Sequence, residues 1–124
     1  MADHDLPTKP EWIQDGKFTY DDGVEAMTTY GAQTELDAVI GTSDLAAIGV
    51  MNQAVAFGLS VPDDLAIMSI DGTQMVKIVR PQITSVTQSF YEMGNRGMKM
   101  MLQRDMDKFE SQYTPFRIDE RDST

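Results

Sequence analysis

The stretch that decides the fold is AVIGTSDLAAIGVMNQAVAFGLSVPDDLAIMSIDG, residues 38–72. It holds two short apolar runs, Ala38–Gly41 and Leu65–Ile70. Neither alternates apolar with polar residues, which is the pattern of strands covered on both faces in a parallel sheet. Between them the spacing predicts a helix from Asp44 to Phe57, with Ser43 or Asp44 capping its start, Gly58 just past its end and Pro62 beyond. Strand, helix and strand form a βαβ unit, expected to cross over right-handed. The expected fold class is therefore α/β, a parallel sheet with helices on both faces.

From Leu45 to Phe57 the only strongly polar residues are Asn52 and Gln53. A surface helix normally shows a broad polar face. This one is expected to pack on the sheet with one side and on another partner with the other.

Upstream, residues 1–11 carry Pro7 and Pro10 among polar residues and read as a loop or a frayed end. A turn at Asp15 and Gly16 leads to Phe18 and then to a helix. Asp21 or Asp22 is its expected cap, and Val24, Met27 and Tyr30 give it helical spacing up to Gly31. Downstream of Asp71 come a short segment, a β-favouring run at 83–86, and an amphipathic helix over Ser89–Phe109. Phe90, Met93, Met98 and Met101 mark its apolar face. Gly94 and Gly97 on that face point to close approach of another element. An edge strand and a charged tail close the chain.

The totals bound the function. At 124 residues the chain is one domain with a core. Twenty acidic residues against ten basic ones give a net charge of −10, so its own field repels nucleic acid and anionic membranes. There is no cysteine, which excludes disulfides and thiolate chemistry. The N-terminus is not a secretory signal, and no apolar run approaches a membrane span; a cytoplasmic setting is expected.

The chemistry belongs at the carboxyl ends of the two strands, because ligands of open α/β sheets bind there. Ser43, Asp44 and Asp71 stand at that edge. They could meet the hydroxyls or amines of a ligand; equally, Ser43 or Asp44 could only cap the helix and Asp71 only begin a turn. Phe18 could lean its ring over the same rim or plug the end of the core. His4 is the one histidine, so triads and His-rich metal centres are out, and no calcium or phosphate loop is present. No metal, no cofactor and no enzymatic activity are expected.

The quoted stretch, continued by RPQITSVTQSFYEMG (80–94) and closed by RIDERDST (117–124), resembles the effector-binding core of the LacI/GalR family of bacterial transcription regulators, from about Trp12 onward. That family pairs two α/β subdomains around a cleft, in a fold like the type I periplasmic sugar-binding proteins, behind a helix-turn-helix headpiece. The resemblance implies ligand contacts for Phe18, Ser43 and Asp71, and a rim-ordering cap for Asp44. It implies a homodimer surface at Ala47, Ile48, Met51 and Val79, and a sugar-like effector.

The same resemblance implies that residues 1–124 are the C-terminal part of such a regulator. The headpiece, the hinge, the N-terminal subdomain and the opening strand and helix of the second subdomain have no counterpart. The helix at 89–109 would then pack on the missing subdomain. Half a cleft should bind effector weakly, and operator DNA would be reached only through the headpiece of the parent protein. The alternative is a fragment of a periplasmic sugar-binding transport protein. A phosphoacceptor domain would need an acidic pair and a lysine that are not in place.

Overall fold

The computed structural model describes residues 9–31, 36–102 and 111–124. The expectations for His4 and for residues 103–109 of the long helix fall outside them. A 3-10 turn at Pro10–Trp12 precedes helix α1 (Tyr20–Tyr30). Then follow strand β1 (Ala38–Gly41), α2 (Asp44–Ala56), β2 (Ala66–Asp71), the short α3 (Met75–Ile78), β3 (Thr84–Gln88), α4 (Phe90–Met101) and β4 (Phe116–Asp119).

The sheet runs in the order β1-β2-β3-β4. β1, β2 and β3 are mutually parallel, with Gly41 opposite Ser69 and Asp71 opposite Thr87. β4 closes the far edge antiparallel to β3, as expected for the C-terminal strand. This is the α/β sheet the sequence predicts.

Helix α2 begins where its cap predicts. The Ser43 side chain accepts from the Ala46 N–H, which settles the choice between Ser43 and Asp44 as N-cap. The cap of α1 is different from that expected. Thr19 holds it in a capping box with Asp22: the Asp22 N–H donates to the Thr19 hydroxyl, and the Thr19 N–H donates back to the Asp22 carboxylate. An Asp two residues into a run and an Asp at the third helical position look alike in sequence, and only the first turn separates them.

The second partner of α2 is α1 of the same chain. Gly23 and Gly49 sit where the two helices cross. A Cβ on Gly23 would lie 2.0 Å from the Ala46 carbonyl oxygen, and one on Gly49 2.2 Å from that of Tyr20. The helices therefore pack backbone to backbone. Ala47, Ile48 and Met51 are enclosed by this crossing and the sheet, at 0%, 6% and 2% exposure. These are three of the residues expected at a homodimer surface, and within the single chain they are already largely covered. Val79 is half-buried against the same core. Met27, Leu65, Ile67, Val76 and Ile83 complete it.

Helix α4 contrasts with α2. It buries no residue, and Phe90, Tyr91, Met93, Met98 and Met101 are exposed. Among the described residues a methyl group on Gly94 or Gly97 would meet nothing within 4 Å beyond its own helix, whereas close backbone approach occurs at Gly23 and Gly49.

The start of the sheet is tied by the last residues. The Ile67 N–H donates to the Ser123 carbonyl, the Ser123 hydroxyl to the Ile67 carbonyl, and the Thr84 N–H to the Ser123 hydroxyl. Ser123 thus fills the ladder between β2 and β3 just before their own pairing begins, and it is fully buried.

Candidate functional site

Because β1 and β2 run the same way, Ser43 and Asp71 leave the sheet at one edge. A chain of hydrogen bonds ties that edge together. Ser43 Oγ donates to the Phe18 carbonyl at 2.9 Å, and its neighbour Asp44 turns inward, 3% exposed. One Asp44 oxygen accepts from the Ser69 hydroxyl at 2.7 Å and the Gly72 N–H at 3.3 Å; the other accepts from the Thr73 N–H at 2.6 Å. The Ser85 hydroxyl makes a longer approach at 3.4 Å.

A buried carboxylate without a cation must be met by several donors. Asp44 finds them on β2, β3 and the loop after β2. It therefore does more than the rim-ordering cap expected of it: as the first residue of α2, it clamps three segments.

Ser43 is also occupied. Its hydroxyl donates to Phe18 and accepts from Ala46, and it is 8% exposed. The hydroxyl expected to meet a ligand is thus turned inward and joined to the Phe18 backbone.

Phe18 is exposed to solvent and Asp71 is half-buried. Both hold positive φ, 64° and 114°, which a side chain other than glycine rarely adopts and which marks a conformation held by its surroundings. The Phe18 ring is 61% exposed. Asp71 Oδ1 accepts from the Gln88 amide at 3.0 Å. Burial pushes the Asp71 carboxyl above its ordinary value, the charge of Asp44 adds to that, and the Gln88 hydrogen bond opposes both. Gln88 is the residue that sequence reading missed. It ends β3, one residue past Thr87, which pairs with Asp71, and its side chain reaches back to the Asp71 carboxylate.

The arrangement offers an aromatic face, a carboxylate and a carboxamide on one lip. These are groups that bind a polyhydroxylated or amino-bearing molecule. No group of three or more His, Cys, Asp or Glu able to hold a metal occurs among the described residues. Asp71 does not line the cavity of about 670 Å³, which runs instead along β1 and meets the lip at Phe18 and Thr42. The lip is thus an open wall. Among the described residues, no helix is long and apolar enough to cross a membrane.

A family profile for the periplasmic binding protein-like domain matches residues 1–124. Catabolite control protein A of Staphylococcus xylosus is 36% identical over 128 residues, covering all of this chain and 38% of that protein. Among solved structures, a transcription regulator from Lactobacillus plantarum superposes with a TM-score of 0.90 at 43% identity, over 99% of this chain and 49% of that one. The LacI family transcriptional regulator CCPA from Weissella paramesenteroides, with bound sucrose, superposes at 0.80 and 34% identity, over 98% of this chain and 45% of that one. This chain spans about two fifths of the length of the curated relative and about half of the structural ones. It belongs to the periplasmic binding protein-like domain family, and LacI-family transcription regulators are among its relatives.

Proposed function

We propose that these residues form one wall of the effector cleft of a LacI/GalR-type transcription regulator. Its effector is a small sugar-like molecule that meets Asp71, Gln88 and the Phe18 ring, while Ser43 and Asp44 fix the backbone that presents them. In the intact regulator the effector favours one closure state of two subdomains and so shifts operator affinity through a headpiece elsewhere in the polypeptide. Such a protein works in the cytoplasm. The carrying observation is the hydrogen-bond chain from the Phe18 carbonyl through Ser43 and Asp44 to Gly72 and Thr73, which holds Phe18 and Asp71 on one lip.

The similarity to a sucrose-bound regulator favours this reading over a transport protein. A twofold contact would use the exposed remainder of α2 and α3, namely Leu45, Val55, Met75 and Ile78, beside the half-buried Val79.

Titrating sucrose and glucose into the chain, followed by amide NMR, tests the lip. One wall alone should bind with a dissociation constant of about 1 mM or weaker, because it encloses little of the ligand. Shifts are expected at Phe18, Asp71 to Thr73 and Gln88, and they should vanish in Asp71→Ala. Shifts that persist in Asp71→Ala, or that avoid these residues, would refute the assignment.

A further inference from the structure

Three aspartates are followed directly by glycine: Asp15-Gly16, Asp22-Gly23 and Asp71-Gly72. Glycine carries no Cβ to shield its own nitrogen, so that nitrogen can reach the preceding side-chain carboxyl. The glycine nitrogen attacks Cγ, a C–N bond forms, and the carboxyl OH leaves with the amide hydrogen as water. The cyclic imide then takes up one water. Opening at Cγ restores aspartate. Opening at the main-chain carbonyl leaves isoaspartate, in which the backbone runs through the former side chain and an α-carboxylate is set free. Water is the only co-reactant.

The fold treats the three pairs differently. Asp22-Gly23 lies within α1, where the Gly23 N–H donates to the Thr19 carbonyl at 3.4 Å and the Gly23 backbone is pressed against Ala46. The Thr19 hydroxyl and N–H and the Lys17 N–H all donate to the Asp22 carboxylate and hold its carboxyl below the ordinary value. An ionised carboxylate is a poor electrophile. At Asp71-Gly72 the carboxyl is pushed towards its neutral, more reactive form. Geometry opposes the reaction there: the Gly72 N–H donates to Asp44, Asp71 accepts from Gln88, and Gly72 packs against Thr87. Ring closure would require the loop after β2 to open.

Asp15-Gly16 has neither protection. Both residues are exposed and lie outside any helix or strand. Among the described residues the Gly16 N–H donates to no acceptor and the Asp15 carboxyl accepts from no donor. The next residues form a tight loop: the Lys17 and Thr19 N–H groups each donate to Asp22 Oδ2 at 2.8 Å, and Phe18 between them holds a φ of 64°. We infer that Asp15 is a site of spontaneous isomerisation to isoaspartate, and that the main-chain carbon this adds pulls Lys17 off Asp22 and unseats Phe18. Any bearing on an effector rests on the function proposed above; the modification itself does not.

The test ages the full chain at physiological temperature and mildly acidic pH. Isoaspartate is then labelled with an isoaspartyl methyltransferase and S-adenosylmethionine and located by peptide mass spectrometry. Label at Asp15 should exceed that at Asp22 or Asp71 by about tenfold or more, because those two react only after local opening. In urea the three should converge. Asp15→Glu, whose longer side chain closes a less favoured ring, should lose the label at this position with far-UV circular dichroism unchanged. In the isoaspartyl form, separated by chromatography, the Lys17 amide should exchange about tenfold faster. Label spread evenly over the three pairs in the folded chain, or a preference for Asp15 that persists in urea, overturns the assignment. Unchanged exchange at Lys17 and Thr19 in the isoaspartyl form overturns its effect on the loop. Sugar binding enters none of these readouts, so a failed effector titration leaves them standing.

Discussion

Helices α2 and α4 are nearly equal in length, and they carry opposite messages about how a sequence finds its partners. α2 has almost no polar face and is covered on both sides by its own chain, by the sheet and by α1. α4 has the stronger amphipathic pattern, yet it buries nothing among the described residues. A clean apolar stripe shows that a helix needs a partner; it does not say that the partner lies in the same polypeptide. The uniformly apolar helix turns out to be the core, because a glycine on it and one on α1 let two backbones touch.

Substitutions on the two helices and along the lip can break or sharpen that contrast. Gly49→Ala should cost the most, more than about 3 kcal/mol in urea unfolding, since its methyl group would meet the backbone of Tyr20 and the helices must part. The matching change on α4, Gly97→Ala, meets open space and should stabilise by up to about 1 kcal/mol through helix propensity. A destabilising Gly97→Ala would show that α4 is packed after all.

Next comes Asp44→Ala, at about 3 kcal/mol, because it orphans the Ser69 hydroxyl and the Gly72 and Thr73 N–H groups. It should also broaden the NMR signals of residues 71–73, and intact signals there would contradict the clamp. Met51→Ala should follow at about 2 kcal/mol, whereas Met98→Ala on α4 should stay within about 0.5 kcal/mol.

The smallest effect is expected at Asp71, and its sign reverses the usual one for a carboxylate. Burial and the charge of Asp44 raise the folded-state value of this acid. The folded protein therefore holds its proton more tightly than the unfolded chain does. That contribution to stability is complete below the ordinary value of 3.8 and is lost as the pH rises through the raised one. Asp71→Asn, uncharged throughout, should raise the melting temperature slightly at about pH 7 and leave it unchanged at about pH 3. A lowered melting temperature at neutral pH would mean that the carboxylate is stabilised where it sits. Asp119 behaves oppositely. Arg117, Thr87 and Arg121 hold its carboxyl down to about 2, so its contribution is present above 3.8 and fades as the pH falls towards 2.

Much of this architecture was legible because it is written locally. The unalternating strands, the Ser43 cap and the glycines past α1 and α2 are all signals within a few residues. The polar lip followed from the parallel order of two neighbouring strands. What could not be read was the pairing of distant groups. Ser123 enters the ladder beside Ile67, 56 residues away in sequence, and Asp44 reaches Ser69 across 25. Nothing in the local pattern around Asp44 distinguishes a cap from a clamp. The Gly23 and Gly49 contact is equally silent, since neither glycine sits at a turn. That α1 covers Ala47, Ile48 and Met51 within the chain was not legible either, because the crossing of α1 on α2 is a contact between distant segments.

The division of labour between Asp44 and Asp71 has a practical consequence. The inward carboxylate is committed to the frame, whereas the side chains of Phe18, Asp71 and Gln88 take no part in its hydrogen bonds. Side-chain changes at the three positions of the proposed effector lip leave the hydrogen bonds of Asp44 in place. A library randomised at those three sites should yield mostly well-folded variants with altered small-molecule preference.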